Sequence, residues 1–428
     1  FRRVLFRSGQ CKMYDIFIKK ISIDKVRHLE NIDIPICNDS RKHIILTGKN
    51  GSGKTSLLHA LSIHLNYLAT QKDFSEIEKN VKVWEDEYSF RIRDGKSENE
   101  ISQAKISLDF SKNQLKVAKQ GLDLDISVAQ DGMKTHFNNG DYILAYYEAT
   151  RKFNASIPNH VEKIKLKDNY AITETPRSEF VKYILDLKVT EALSKTSGKN
   201  DNAKKIQDWF DNFEKLLKRI FDDESVKLMF DEDNFSFTIH QDDREPFTFN
   251  ELSDGYAAIL DIVVDLMVRM EKHLKGGLSF DVPGIVLIDE IETHLHLELQ
   301  RTVLDFLTSV FPNIQFIIST HSPFILNSID NAVIYDLQNH TLVKDGLTDL
   351  PYDGIVKGYF EVDELSKELR EKYERYKKLI VRKQLSNDDM EEIAKLELYL
   401  DEIPDYLALE ITTEYRRLKA FFDAREDL

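Results

Sequence analysis

The chain has 428 residues, 42% of them apolar and 31% charged, and carries a formal net charge of −15. That length predicts two or three domains, or one large domain with insertions, and no apolar run reaches the ~18 residues a membrane-spanning helix needs. Cys11 and Cys37 have no spacing partners, which argues for a reducing, cytoplasmic setting and against disulfides or a cysteine-built zinc site; the acidity disfavours nucleic-acid binding over the whole surface.

Residues 1–8, FRRVLFRS, are the translation of a common sequencing-adapter string, so residues 1–12 are expected to be artefact or upstream sequence ahead of Met13. Ile16, Ile18, Ile21 and Ile23, then Ile32, Ile34 and Ile36, predict two strands joined near residues 28–31. Ile44, Ile45 and Leu46 predict a buried strand. Gly48, Gly51 and Gly53 then leave a loop without bulky side chains, and Leu58, Leu61, Leu65 and Leu68 recur at helical spacing. Strand, Gly-x-x-x-x-Gly-Lys-Thr, helix is the phosphate-binding P-loop in the context it requires. Amide donors over Asn50, Gly51, Ser52, Gly53, Lys54, Thr55 and Ser56 have no partner within a helix and suit phosphate oxygens. Lys54 would reach the β- and γ-phosphates, and the Thr55 hydroxyl would bind Mg²⁺.

Residues 71–100 are polar, with Trp84 and Tyr88 as isolated anchors, and read as a helix or a mobile insertion. Ile106, Leu108 and Phe110, then Leu122, Leu124, Ile126 and Val128, alternate and predict strands over 101–130. The run DYILAYYEATR ends in Glu148, Thr150 and Arg151. Phe180, Ile184 and Leu187 mark a helix; Ile206, Phe210, Phe213, Leu217 and Ile220 mark another, with a polar turn at 194–202. This pair is either an arm projecting from the core or a layer packed flat on it, because periodicity fixes a helix face and not its partner. Strands are expected around 226–230, 235–240 and 247–249.

NELSDGY at 250–256 leads into a helix through Ile259, Val263, Leu266 and Met270. GIVLIDE at 284–290 reads as a buried parallel strand with carboxylates at its C-terminal end. Asp289 would supply an oxygen to Mg²⁺, and Glu290 would polarise the attacking water. IQFIISTH at 314–321 is a second such strand, ending in His321, which can hydrogen-bond a γ-phosphate or the water. Residues 332–336 and 341–344 predict a closing hairpin. Beyond it come three charged helices, with apolar positions at Leu365, Leu369, Tyr373, Tyr376 and Ile380, at Met390, Ile393, Leu396 and Leu400, and at Leu407, Ile411, Tyr415, Leu418 and Phe422, Pro404 parting the last two.

The set GKNGSGKT, LSDG, LIDE and STHSP resembles ABC-type ATPases of the SMC, RecF and OLD branch, often labelled AAA family ATPases. IDEIETHLHLELQ and IISTHSPFIL are similar to the subgroup found in prokaryotic anti-phage systems, such as the PtuA ATPase of Septu, retron-linked ATPases and the ATPase of PARIS. The resemblance implies an α/β P-loop NTPase with an ABC/SMC-like head, binding ATP and Mg²⁺ and working as a head-to-tail homodimer or higher homo-oligomer. The division that follows is lobe I at 13–151 with an insertion at 71–100, a helical arm plus strands at 152–245, lobe II at 246–345, and a C-terminal helical appendage at 346–428.

In such dimers Leu252, Ser253 and Gly255 of the signature motif would touch the phosphate held by the partner's P-loop, and Asp254 departs from the commoner glycine. Residues 292–295 take the D-loop position at the dimer interface. His294 and His296 read as interface or structural residues rather than metal ligands, since a spacing of two points them apart on a strand. The Q-loop lacks its glutamine, leaving Glu148 or Thr150 in that place. The expected function is an ATPase sensor or scaffold in a defence system with a separate nuclease or toxin effector, and no membrane partner. The alternative is a RecF-like repair ATPase, for which DNA binding is possible through lysines such as Lys195, Lys199, Lys204 and Lys205.

Overall fold

The computed structural model describes residues 16–70, 74–128, 130–151, 161–242, 244–271, 280–344, 346–348, 367–382, 385–401 and 409–423. The expectations for residues 1–12, Leu365, Pro404 and Leu407 lie outside these. The chain divides into two units, residues 1–349 and 350–428.

The first unit is built on a six-stranded sheet. Its strands are β3 (His43–Thr47), β5 (Ile143–Tyr147), β8 (Gly284–Ile288), β9 (Ile314–Ser319), β10 (Ala332–Asp336) and β11 (Thr341–Lys344). The order is β11-β10-β3-β9-β8-β5, and every pairing is parallel except the edge pair β10–β11. β3, β8, β9 and β10 are buried at every position, as strands covered on both faces must be, which is why they read as unbroken apolar runs. A second sheet sets β1 (Ile18–Val26) between β2 (Leu29–Pro35) and β4 (Leu122–Ile126), all antiparallel.

Helix α1 (Lys54–Thr70) packs against strands of both sheets and is therefore buried on most of its faces. The sheets are also joined by one side chain. Gln315, fully buried on β9, accepts from the Ile18 amide at 2.8 Å and donates to the carbonyls of Ile18 and Lys42 at 3.1 and 2.8 Å. It acts as an extra rung and leaves no buried amide group unpaired.

Residues 98–119 are not strand. Ser97 caps α3 (Glu98–Lys119) in a reciprocal capping box with Glu100, and the buried stripe runs through Ala104, Leu108 and Ser111. Ile106 and Phe110, whose alternation suggested strand, are 65% and 63% exposed on the far face. α3 pairs with α2 (Ser75–Arg93), in which Val81 is the one buried residue, so this hairpin is mostly exposed.

The pair α5 (Phe180–Thr196) and α6 (Asn200–Phe221) is the packed layer rather than a free arm. It packs on α7 (Asp254–Glu271), where both Tyr183 and the Trp209 indole donate to Glu271, and Phe180 of α5 meets Phe213 of α6 and Phe249 edge-on. Lying between this layer and β5, α7 is buried almost all round. β6 (Lys227–Asp231) and β7 (Ser236–His240) form a small hairpin; Phe247 adds one bridge to Ile239 before a 3-10 turn, in place of a third strand. The remaining helices of this unit are α4 (Gln130–Asn139), α8 (Leu297–Val310) and the short α9 (Pro323–Leu326).

The second unit holds α10 (Lys367–Ile380), α11 (Asn387–Asp401) and α12 (Leu409–Asp423). Tyr376 and Tyr415 stack edge-on in its core and donate their hydroxyls to Glu397 and Asp401. Met390, placed on the apolar face by its spacing, is instead 42% exposed.

Two buried histidines make the first unit sensitive to acid. Burial holds His43 and His64 down to about 4, so both are neutral in the fold. The unfolded chain takes up their protons near pH 6.5, so stability is full above that pH and is lost as pH falls toward 4. The loss is on the order of 3 kcal/mol for each. His43 accepts from the Phe316 amide, and an Asn at position 43 offers the same acceptor without the titration. Denaturant unfolding between pH 7 and 4.5 is expected to show a shallower acid decline for His43→Asn than for wild type; equal slopes would refute the assignment.

Candidate functional site

The parallel register brings the strand ends to one edge. Leu46 pairs with Ser319 and Ile288 with Ile318, so the loops after β3, β8 and β9 leave the sheet side by side. This is the crevice at the carboxyl ends of strands where α/β sheets take ligands. A cavity of about 300 Å³ opens there. On one side it is lined by Asn50, Gly51, Gly53, Lys54, Thr55 and Ser56. Arg27 and His28, from the β1–β2 turn, line the rest together with Glu290 and His321. Ser52 is not on this surface.

Gly48, Gly51 and Gly53 all have positive φ. At Gly53 a Cβ would also come within 2.9 Å of Leu29, so only glycine lets the loop pass beneath β2. Lys54 is buried, with Nζ donating to the carbonyls of Gly48 and Lys49 at 2.8 and 3.3 Å. Burial lowers its pKa, and Glu290, Glu292, Asp289 and Asp336 work against that shift. Thr55, one residue on, is exposed.

Asp289 is buried, and its Oδ1 accepts from the Ser319 hydroxyl. The same Ser319 oxygen accepts from the Glu290 amide at 2.8 Å. Glu290 is half-buried and has φ +44°, in the left-handed region. For a residue with a side chain this costs on the order of 1–3 kcal/mol and persists only where the surroundings fix it. The Arg151 guanidinium is one such restraint: it donates to the carbonyls of Asp289, Glu290 and Ile291 at 2.7, 3.0 and 3.3 Å. His321 is held by its amide, which donates to Glu292 Oε1 at 2.5 Å. Burial and the nearby Lys54 charge lower the His321 pKa, so its imidazole is neutral at pH 7.

The signature residues are not part of this cavity. Leu252 precedes α7, Ser253 is exposed, and Asp254 opens the helix at the surface. Gly255 is buried against the loop after β8, where a Cβ would lie 3.1 Å from the His294 carbonyl. His294 sits in that loop and His296 at the start of α8; among the described residues no group of three or more His, Cys, Asp or Glu could hold a metal ion.

Sequence reasoning gave no role to Arg27, His28, Arg151 or Ser319, and placed Glu292 only in the D-loop at the dimer interface, whereas here its carboxylate holds the His321 amide. Ser319 lies in the STH run and Arg151 at the end of an apolar run, so position was a signal for both. Arg27 and His28 carried none beyond their turn.

Among the described residues no helix is long and apolar enough to cross a membrane. A family model described as AAA domain, putative AbiEii toxin, Type IV TA system matches residues 44–327. Septu protein PtuA of Bacillus mycoides is 25% identical over 401 residues, covering 89% of this chain and 50% of that protein. The Retron Ec83 probable ATPase of Escherichia coli is 31% identical over 173 residues, 38% of this chain and 29% of that protein. The chain thus spans half the length of the first and less than a third of the second. The Retron Vc95 probable ATPase of Vibrio cholerae is 27% identical over 354 residues, with 68% of each covered. Among solved structures, an SMC head bound to the C-winged helix domain of ScpA aligns over 78% of this chain and 99% of its own, at 14% identity and a TM-score of 0.38.

Proposed function

Since the chain belongs to the family described as AAA domain, putative AbiEii toxin, Type IV TA system, we propose that it binds ATP at the 44–58 loop and hydrolyses it to ADP and phosphate. The observation that carries this is a cavity that Lys54, Thr55, Glu290 and His321 line together. Phosphoryl transfer needs positioning and charge stabilisation more than covalent chemistry, and these groups supply both. The P-loop amides and Lys54 hold the β- and γ-phosphates. Glu290 orients and polarises the attacking water, and neutral His321 donates to the γ-phosphate or to that water. Thr55 lines the cavity and its hydroxyl would hold Mg²⁺; Asp289, buried behind it on Ser319, would hold the ion through water, and the ion when bound would neutralise charge on the phosphates.

Two copies close head to tail, each offering Leu252, Ser253 and Gly255 to the nucleotide of the other. That Leu252, Ser253 and Gly255 do not line their own chain's P-loop cavity supports this arrangement. Similarity to Septu PtuA and to the retron probable ATPases supports a place in an anti-phage complex, with ATP gating a separate nuclease or toxin effector. The test is ATP turnover and solution mass of the chain, with and without Mg²⁺ and with and without double-stranded DNA. Mg²⁺-dependent turnover with a mass that doubles on ATP, indifferent to DNA, is expected. An absence of ATP binding overturns the reading, a mass that stays monomeric removes the dimer, and DNA-stimulated turnover would favour a repair ATPase.

A further inference from the structure

Glu290 must present its carboxylate from a backbone conformation that residues with side chains seldom adopt. The restraints on it converge from three elements. Ser319 on β9 takes its amide, the Tyr147 carbonyl on β5 takes the Asp289 amide at 2.8 Å, and Arg151 takes the three successive carbonyls of residues 289–291. Arg151 is 4% exposed, and its fourth bond goes to the Glu148 carbonyl at 3.2 Å. A guanidinium is suited to this work, because its planar fork points several donors in fixed directions at once.

One donor of that fork, the Arg151 Nε, is buried without a hydrogen-bond partner; the other four all reach backbone carbonyls.

We propose that Arg151 is a positioning residue for ATP hydrolysis: it holds the Glu290 loop in its working geometry through the three successive carbonyls it binds. This rests on Glu290 acting on the water.

The experiment measures kcat, KM and equilibrium ATP affinity for wild type, Arg151→Lys and Arg151→Ala. Wild-type turnover is read first, since its absence fails the proposed ATPase reading itself. Arg151→Lys keeps the charge and loses the fork, and kcat is expected to fall about tenfold with KM and ATP affinity within about twofold. Arg151→Ala is expected to lose about 100-fold in kcat, with part regained on adding millimolar guanidinium ion. Wild-type kcat in Arg151→Lys overturns the positioning role. So does a loss of ATP affinity and thermal stability in step with kcat, which would mark Arg151 as general support. Should Arg151→Ala fail to fold, the Lys variant decides the matter.

Discussion

Glu290→Gln is expected to lower ATP turnover by about 10²–10⁴-fold while ATP stays bound and the two-chain form accumulates. The substitution keeps shape and removes only the group that can accept a proton or polarise water. The neighbouring carboxylates are engaged elsewhere: Asp289 is buried on Ser319, and Glu292 holds the His321 amide. Glu290 alone of the three lines the cavity. Removing its charge also relieves repulsion toward phosphate oxygens, which is why binding survives and the closed pair persists. Single-turnover hydrolysis and mass measurement with ATP check this; a Gln variant that turns over like wild type would remove Glu290 from the role of base.

Lys54→Ala is expected to weaken ATP binding by at least about 100-fold, about 2.7 kcal/mol, corresponding to the loss of one or two charge-assisted hydrogen bonds. The effect is larger than the loss of contact alone implies. Lys54 is the cation set among Asp289, Glu290, Glu292 and Asp336, and without it those acids face incoming phosphates unopposed. Of the carbonyls it leaves, that of exposed Lys49 stays open to water and that of buried Gly48 loses a partner, so the fold is expected to persist with some loss of stability. Equilibrium titration with a fluorescent ATP analogue, beside a thermal melt, separates the two effects; wild-type affinity would refute the role given to Lys54.

The P-loop, both buried strands with their terminal Asp289-Glu290 and His321, and the closing hairpin were legible because each rests on a local pattern that chemistry constrains tightly. Strand ends in a parallel sheet emerge together, so three separate motifs converge without any contact being visible in sequence. α3 was misread because Ile106, Leu108 and Phe110 alternate, while its real seam needs only the narrow stripe of Ala104, Leu108 and Ser111. A two-helix contact leaves much of each helix free, and two large apolar residues on the outer face were enough to mimic a strand. The packed position of α5 and α6 was undecided for a different reason: their partner α7 lies far along the chain. Arg151 showed only its place at the end of an apolar run, because its partners are backbone carbonyls, which leave no trace in side-chain pattern.

The α2–α3 hairpin begins and ends near the same place. Lys119 at its end pairs with Glu78 near its start at 2.8 Å, and His64 of α1 contacts the Lys119 carbonyl at 2.8 Å. Its tip, around Gly95, has open space about it. Length is therefore a free variable of this architecture. Whole turns can be added to or removed from both helices at the tip, in matched pairs, while the anchorage beside α1 stays as it is. Reach beyond the body of the molecule and chemistry within it can thus diverge independently between variants of the same scaffold.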